Sequence, residues 1–348
     1  MSELMEVAPS AWDGLLDRIG VGDVYLRRAY LESASLLGQG TPAYLHFGGD
    51  SGDVVFPALA REAGDSHRDL ATPMGYGGPV ASGDEPPTAA FFDAYERWCT
   101  TNSVVSTFAR FHPVLENQRL AEGHWRLEHI GHSIGWRVEG RGPDELLAGM
   151  DSHHRRVVRK ARAAGVEVGV EESPEDLGAF VLLYEETMRR RDASQFYFFL
   201  DAYWEHLTGA LGGSLVRADA HADGELVASI VCLAAPPLLH YHLGASSERG
   251  QALGANHLLF GETAAWAGEH GFSRFHLGGG VGGFEDSLYE FKRRFDPEGA
   301  LPAYLGKRVH DEAAYRELSG TDEVEYTGYF PAYRGRAERG WLSSRPCS

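Results

Sequence analysis

Phe275-His-Leu-Gly-Gly-Gly-Val-Gly-Gly-Phe-Glu-Asp-Ser-Leu-Tyr-Glu-Phe-Lys-Arg-Arg-Phe295 joins a strand signal, a glycine run and a helical turn in one stretch. Phe275 and Leu277 alternate about His276, as in a strand with one buried face. The glycines beginning at Gly278 and Gly279 leave the backbone bare. An apolar and basic helical turn follows over 288–295, with Phe291 and Lys292 side by side. Open backbone and one cation thus meet at the end of a strand. Acyl transfer requires such N–H groups and positive charge where a carbonyl oxygen becomes negative. Lys292 is the candidate for that role, and Phe291 for closing the site. Asp286 and Glu285 are candidates for the base that takes a proton from an attacking amine. Acids in that place also suit a helix N-terminus, where they complement the dipole.

Outward from this stretch the second half parses regularly. A strand over 166–170 precedes two helices, marked by Leu177, Phe180, Val181, Tyr184 and Met188, then by Leu200, Tyr203, Trp204, Leu207 and Leu211. Those intervals are helical. Strands over 214–218 and 225–233 flank Asp223-Gly224, a hairpin signal. Pro236-Pro237 precedes a strand over 238–243, and a helix over 256–270 ends at Gly271. A strand over 303–309 completes an order β-α-α-β-β-β-α-β-α-β. The first half echoes part of it: a helix over 24–37, strands over 43–47 and 54–60, a loop, a helix over 88–99, and strands over 104–111 and 135–138. A turn-rich Gly140-Arg-Gly-Pro143 separates the halves. The expected domains are therefore 1–140 and 141–309, with the tail 310–348 returning to the first or lying loose.

Net charge is −18, which disfavours broad nucleic-acid binding. One segment departs from it: Arg155-Arg-Val-Val-Arg-Lys-Ala-Arg162, preceded by His153 and His154. On a helix, Arg155, Arg159 and Arg162 share one face, and Arg156 and Lys160 the adjoining one. This is either a solvated surface or a phosphate-docking stripe. Arg190, in Arg189-Arg190-Arg191, suits either a helix C-terminus or a bidentate grip on phosphate or carboxylate. Tyr241 suits core packing or ligand stacking. Its neighbours His240 and His242 lack a third ligand nearby in sequence, so no metal is expected. Three widely spaced cysteines, Cys99, Cys232 and Cys347, read as free thiols in a reducing compartment. Neither a membrane span nor a signal pattern is visible, and the expected setting is cytoplasmic.

The element order resembles the GCN5-related N-acetyltransferase (GNAT) fold, an α/β (α+β) architecture whose sheet splays where the donor binds. Two tandem GNAT-like lobes, a basic helix opening the second, and a Gly-Gly segment leading to Phe-Lys resemble the Fem family of aminoacyl-tRNA-dependent peptidyl transferases. The resemblance spans about Val24 to Val309. Asp69-Leu-Ala-Thr-Pro-Met-Gly-Tyr-Gly-Gly-Pro79 is similar to the family's Tyr-Gly-Tyr-Gly-Gly-Pro loop, with Met74 where an aromatic is frequent. Thr187-Met-Arg-Arg190 is similar to its Thr-x-x-Arg helix end, and Tyr241 to an acceptor-facing aromatic. The resemblance implies transfer of an amino acid from aminoacyl-tRNA to an amine of a peptide acceptor, in cell-wall or antibiotic assembly. It implies no cofactor. It places Lys292, Phe291 and Asp286 at the chemistry and Arg190, Tyr241, Tyr76, Gly77, Gly78, Gly278 and Gly279 around the acceptor. The tRNA would lie on Arg155, Arg156, Arg159, Lys160 and Arg162 of a monomer. Gln251-Ala-Leu-Gly254-Ala-Asn256 keeps a second reading open: it nearly matches the Gln/Arg-x-x-Gly-x-Gly/Ala turn that cradles a pyrophosphate in acyl-CoA-dependent GNAT enzymes.

Overall fold

A computed structural model describes residues 3–49 and 51–335. The chain forms two compact units, Met1–His129 with Ala303–Ser348, and Ile130–Pro302. Both crossings fall inside strands, Arg126–Arg137 and Ala300–Val309, rather than at Gly140-Arg-Gly-Pro143. The turn at 140–143 instead leads into a short helix, Pro143–Gly149, with proline at its first turn.

In the first unit, strands Thr41–Gly49, Gly52–Ala63 and His67–Ala71 form an antiparallel meander. Val104–Arg110 then pairs in parallel with His67–Ala71, after the helix Thr88–Thr101. Residues 305–309 pair antiparallel on its other side. Strand alternation explains how both faces are covered. Leu45, Phe47, Val54 and Phe56 pack with Phe91 and Tyr95 of the helix. Tyr44 and Val55 face the opposite way, onto Trp12, Leu16 and Leu31. These come from helices Pro9–Ile19 and Arg28–Leu36. Part of the tail belongs to this unit: Tyr333 and Arg334 reach buried Asp69 at 3.0 and 2.6 Å. Residues 336–348, including Cys347, lie outside the described residues.

In the second unit the sheet order is Arg126–Arg137, Arg274–Gly278, Leu238–Ser246, Glu225–Ala235, Leu215–Ala222 and Glu167–Glu172. Only the pair Leu238–Ser246 and Arg274–Gly278 is parallel. Their connection is the helix Ala255–Glu269, apolar nearly all round. Such a helix must be buried on all sides. It packs on the sheet and beneath the helices Pro143–Gly149 and Ser152–Ala163. Leu258, Leu259, Phe275, Trp136, Val158 and Phe295 meet in this core. Truncating fully buried Leu259 to alanine is expected to cost about 2–5 kcal/mol.

The GNAT-like element order appears in both units, three antiparallel strands, a helix and a parallel strand. Sequence periodicity misses Pro9–Ile19 and His67–Ala71. The latter reads as a loop because Arg68 and Asp69 are charged, yet Asp69 is wholly buried between Arg61, Tyr333 and Arg334.

Candidate active site

Parallel pairing between Leu238–Ser246 and Arg274–Gly278 lasts only from Leu238↔Arg274 to His240↔His276. The first strand runs on to Ser246, bulging where Tyr241 faces Cys232 and Leu243 faces Val231. A bulge of this kind bends a strand and re-aims its side chains. His240 meets His276 at 3.2 Å, and His242 meets the Tyr203 hydroxyl at 2.7 Å. The second strand ends at Gly278, whose φ of +74° is left-handed. A gap opens between Tyr241 and Gly279.

Lys292 occupies that gap. Its Nζ donates to the Gly279 carbonyl at 2.6 Å and lies 5.3 Å from the centre of the Tyr241 ring. The residue is 5% exposed. Burial pushes its pKa down to about 8, with Asp286 opposing the fall. An ammonium of this kind carries charge at neutral pH and holds it in a poorly solvated place, where it acts strongly on a developing oxyanion.

The short helix Ser287–Arg293 sets the position of Lys292. Asp286 caps it, accepting from the Leu288 and Tyr289 N–H groups at 3.0 and 2.9 Å. Its other oxygen accepts from Val281 N–H at 3.0 Å, tying the glycine loop to the helix. A Cβ on Gly280 would stand 2.2 Å from Asp286 Oδ1 and 2.2 Å from the Phe284 carbonyl, so only glycine fits. Both Asp286 oxygens are engaged by backbone, which makes it the scaffold of the site. Glu285 differs: it is exposed, and its carboxylate meets His132 Nδ1 at 2.6 Å. Phe291 packs among Phe260, His257 and Phe295, with centroids at 5.8, 5.1 and 5.1 Å. It anchors the helix to the core.

Thr187 and Arg190 clasp the far end of the bulged strand. Thr187 Oγ1 donates to the Ser246 carbonyl at 3.2 Å and accepts from Ser246 N–H at 3.1 Å. Arg190 Nη2 donates to the same carbonyl. Its Nη1 is buried without a hydrogen-bond partner. The same Nη1 lies 3.6 Å from the Glu186 carboxylate, an ion pair that an anionic ligand group would have to displace.

The basic helix Ser152–Ala163 divides its cations. Arg155 donates to the Ala148 and Met150 carbonyls, closing the preceding helix. Arg162 pairs with Glu262 at 2.7 Å, and Lys160 donates to the Ala252 carbonyl at 3.1 Å. Arg156 and Arg159 are the exposed members of the stripe not engaged with another helix. The five-residue stripe read from sequence is thus smaller, because three of its cations serve neighbouring elements.

Tyr76, Gly77 and Gly78 lie in the first unit, in a loop that continues from His67–Ala71. Gly77 donates to the Arg110 carbonyl at 2.9 Å, and Asn117 Nδ2 donates to the Gly77 and Pro79 carbonyls at 2.8 and 3.0 Å. Gly78, at φ +93°, admits the Phe111 ring where a Cβ would stand 2.8 Å away. Half-buried Tyr76 rests against Tyr25 and His112 with centroids 5.4 Å away in both cases. The loop's glycines are packing positions. Tyr241, Gly278, Gly279 and Lys292 are brought together within the second unit.

Gly254, of the pyrophosphate-type turn, has φ +76° and links the helices Glu248–Leu253 and Ala255–Glu269. Val157 of the basic helix covers it, with Cγ1 2.4 Å from where a Cβ would be. Asn256 and Gln251 turn their amides to Ser246 Oγ at 3.3 and 3.4 Å.

Residues 150–293 match the Acetyltransferase (GNAT) domain family. No curated protein matches the chain. Among solved structures, FemX is 15% identical, covers 88% of this chain and 97% of its own, and superimposes with a TM-score of 0.66. The chain has a Fem-like tandem GNAT fold. L-PGS from Bacillus licheniformis shares this fold at 14% identity and TM-score 0.55, over 88% of this chain and 92% of its own. The C-terminal DUF2156 domain of a putative lysylphosphatidylglycerol synthetase from Agrobacterium fabrum does so at 15% identity and TM-score 0.53, over 88% and 94%. The GNAT acyltransferase fold supports an acyltransferase activity. Among the described residues no helix is long and apolar enough to cross a membrane.

Sequence reading missed His154 and His257 beside Phe291. His154 Nε2 meets the Phe291 carbonyl at 3.0 Å, and the His257 ring lies 4.4 Å from the His154 ring. The doublet His153-His154 was a visible signal, but nothing near His257 marks it as their neighbour.

Proposed function

We propose that this protein is an aminoacyltransferase that moves an amino acid from aminoacyl-tRNA to an amine of a peptide acceptor. The amine attacks the ester carbonyl carbon; the C–N bond forms, the ester C–O bond breaks, and the ribose oxygen leaves with a proton. Lys292 stabilises the negative oxygen from the gap between the parting strands. Removing such a donor typically costs about 10²–10³ in rate. Glu285, exposed and paired with His132, takes the amine proton directly or through water. Alignment of the two reactants supplies much of the remaining acceleration, up to about 7–11 kcal/mol in favourable cases. Arg190 receives an anionic group of the acceptor, and Tyr241 flanks the reacting carbonyl. Arg156 and Arg159 meet phosphates of the donor. The acceptor is a peptidoglycan precursor or a peptide-antibiotic intermediate.

The covered Gly254 turn carries the choice of donor. A pyrophosphate cradle needs open N–H groups at a helix N-terminus. Here Val157 and Lys160 of the basic helix lie over that turn. The match of residues 150–293 to the GNAT acetyltransferase domain favours the second reading, an acyl-CoA-dependent N-acyltransferase. Purified protein supplied in parallel with charged tRNA or acyl-CoA and candidate amines separates them. Amide formation that needs charged tRNA, stops with RNase and weakens steeply with salt supports the first. Product from acyl-CoA alone, unaffected by RNase, rejects it.

A further inference from the structure

Three imidazoles converge where the first turn of the Ser152–Ala163 helix meets the first turn of Ala255–Glu269. His153, His154 and His257 each present one ring nitrogen, and these nitrogens lie within 4.8 Å of one another. His154 is 1% exposed. Its Nε2 reaches the Phe291 carbonyl at 3.0 Å. A carbonyl only accepts, so Nε2 carries the proton and Nδ1 keeps its lone pair. That Nδ1 is buried with no hydrogen-bond partner, and so is Nδ1 of His257. Two buried, unpartnered ring nitrogens in one cluster are rare, since interiors pair their polar atoms. His153 supplies the third from the exposed side, where Arg156 donates to its Nδ1 at 3.1 Å.

We infer that His153, His154 and His257 form a three-histidine site for a divalent transition metal of the zinc class, with a fourth position open to water or an anion. Imidazole donors select zinc, nickel, copper or cobalt over magnesium and calcium, which take oxygen ligands. The Phe291 carbonyl behind His154 is the outer hydrogen bond that fixes the tautomer of a metal-ligating histidine. Bonds of about 2.0–2.1 Å draw the nitrogens closer than they stand here. His153 supplies this movement, because it is exposed and its Arg156 contact is on the surface. Asp151 favours a cation here and Arg294 opposes it, as both act on His154. Bound metal would lock the start of the basic helix to the backbone beside Lys292.

The test uses the full chain without a polyhistidine tag, stripped with chelator and titrated with Co²⁺ alone. The expected result is one bound equivalent with the intense visible absorption of tetrahedral cobalt, displaced by Zn²⁺. His153→Ala, on the surface, and His257→Asn should each weaken binding by roughly tenfold or more. His270→Ala, an exposed histidine at the far end of Ala255–Glu269, should leave binding unchanged. The inference is overturned by absence of saturable uptake, by the weak spectrum of six-coordinate cobalt, or by uptake that survives both substitutions. A rise in melting temperature with inorganic phosphate but not with Zn²⁺ would overturn it too, marking an anion site.

Discussion

The Lys292 ammonium donates to the Gly279 carbonyl at 2.6 Å, across the point where two parallel strands stop pairing. This bond makes one cation answerable to both strands of the gap. Lys292→Met should therefore separate function from folding. Turnover is expected to fall about 10²–10³-fold. Stability should hold or rise near pH 7, because a poorly solvated charge is removed; the depression from 10.5 to about 8 corresponds to about 3 kcal/mol as an upper figure. Single-turnover rates and thermal unfolding measured on one preparation check this. A parallel loss of both would reduce Lys292 to a packing residue.

The pH dependence has a definite sign. Lys292 titrates near 8 in the folded chain and 10.5 in the unfolded one. Between those values the unfolded state holds more protons, so stability relative to Lys292→Met should rise with pH over that window. Activity should move the other way. If the ammonium is the working form, kcat declines as pH climbs through about 8, and a flat profile from 7 to 9.5 contradicts it.

Asp286 and Glu285 are neighbours with separate expected phenotypes. Asp286→Ala removes three backbone contacts and a helix cap, at a cost of roughly 0.5–2 kcal/mol. Glu285→Gln touches exposed surface and should leave the melting temperature unchanged while lowering kcat at saturating donor. Equal melting temperatures for the wild type and both variants would remove the scaffold role from Asp286.

The basic helix offers a similar division. Arg156→Glu with Arg159→Glu should raise the apparent Kd for charged tRNA and flatten its salt dependence, without loss of fold. Arg155→Ala should chiefly lower stability, since it leaves the Ala148 and Met150 carbonyls without their donor. Filter binding at two salt concentrations, with thermal unfolding, separates the effects. Donor affinity unchanged by the double charge reversal would place the tRNA elsewhere.

Much of the second unit was legible because its signals are local. The hairpin at Asp223-Gly224 and the helix ended by Gly271 appear close to where periodicity and turn chemistry put them. Gly278 and Gly280 were visible as bare backbone, and Lys292 as the cation that follows. Periodicity did not show why Gly280 is glycine, which depends on the Asp286 carboxylate folding back onto it.

Sequence by itself determined the order of strands and helices over residues 166–309 and the closeness of glycine loop to lysine, since both follow from residues a few positions apart. Only the tertiary structure decided which charges remain available. Asp69 became a buried strand residue through Arg61 and Arg334, three cations of the basic helix were drawn to neighbouring elements, and His257 reached His154 across a hundred positions. The physical reason is common to Asp69 and the basic helix. A charge or lone pair is satisfied by whatever partner packing brings within about 3 Å, and distance along the chain carries no information about that partner.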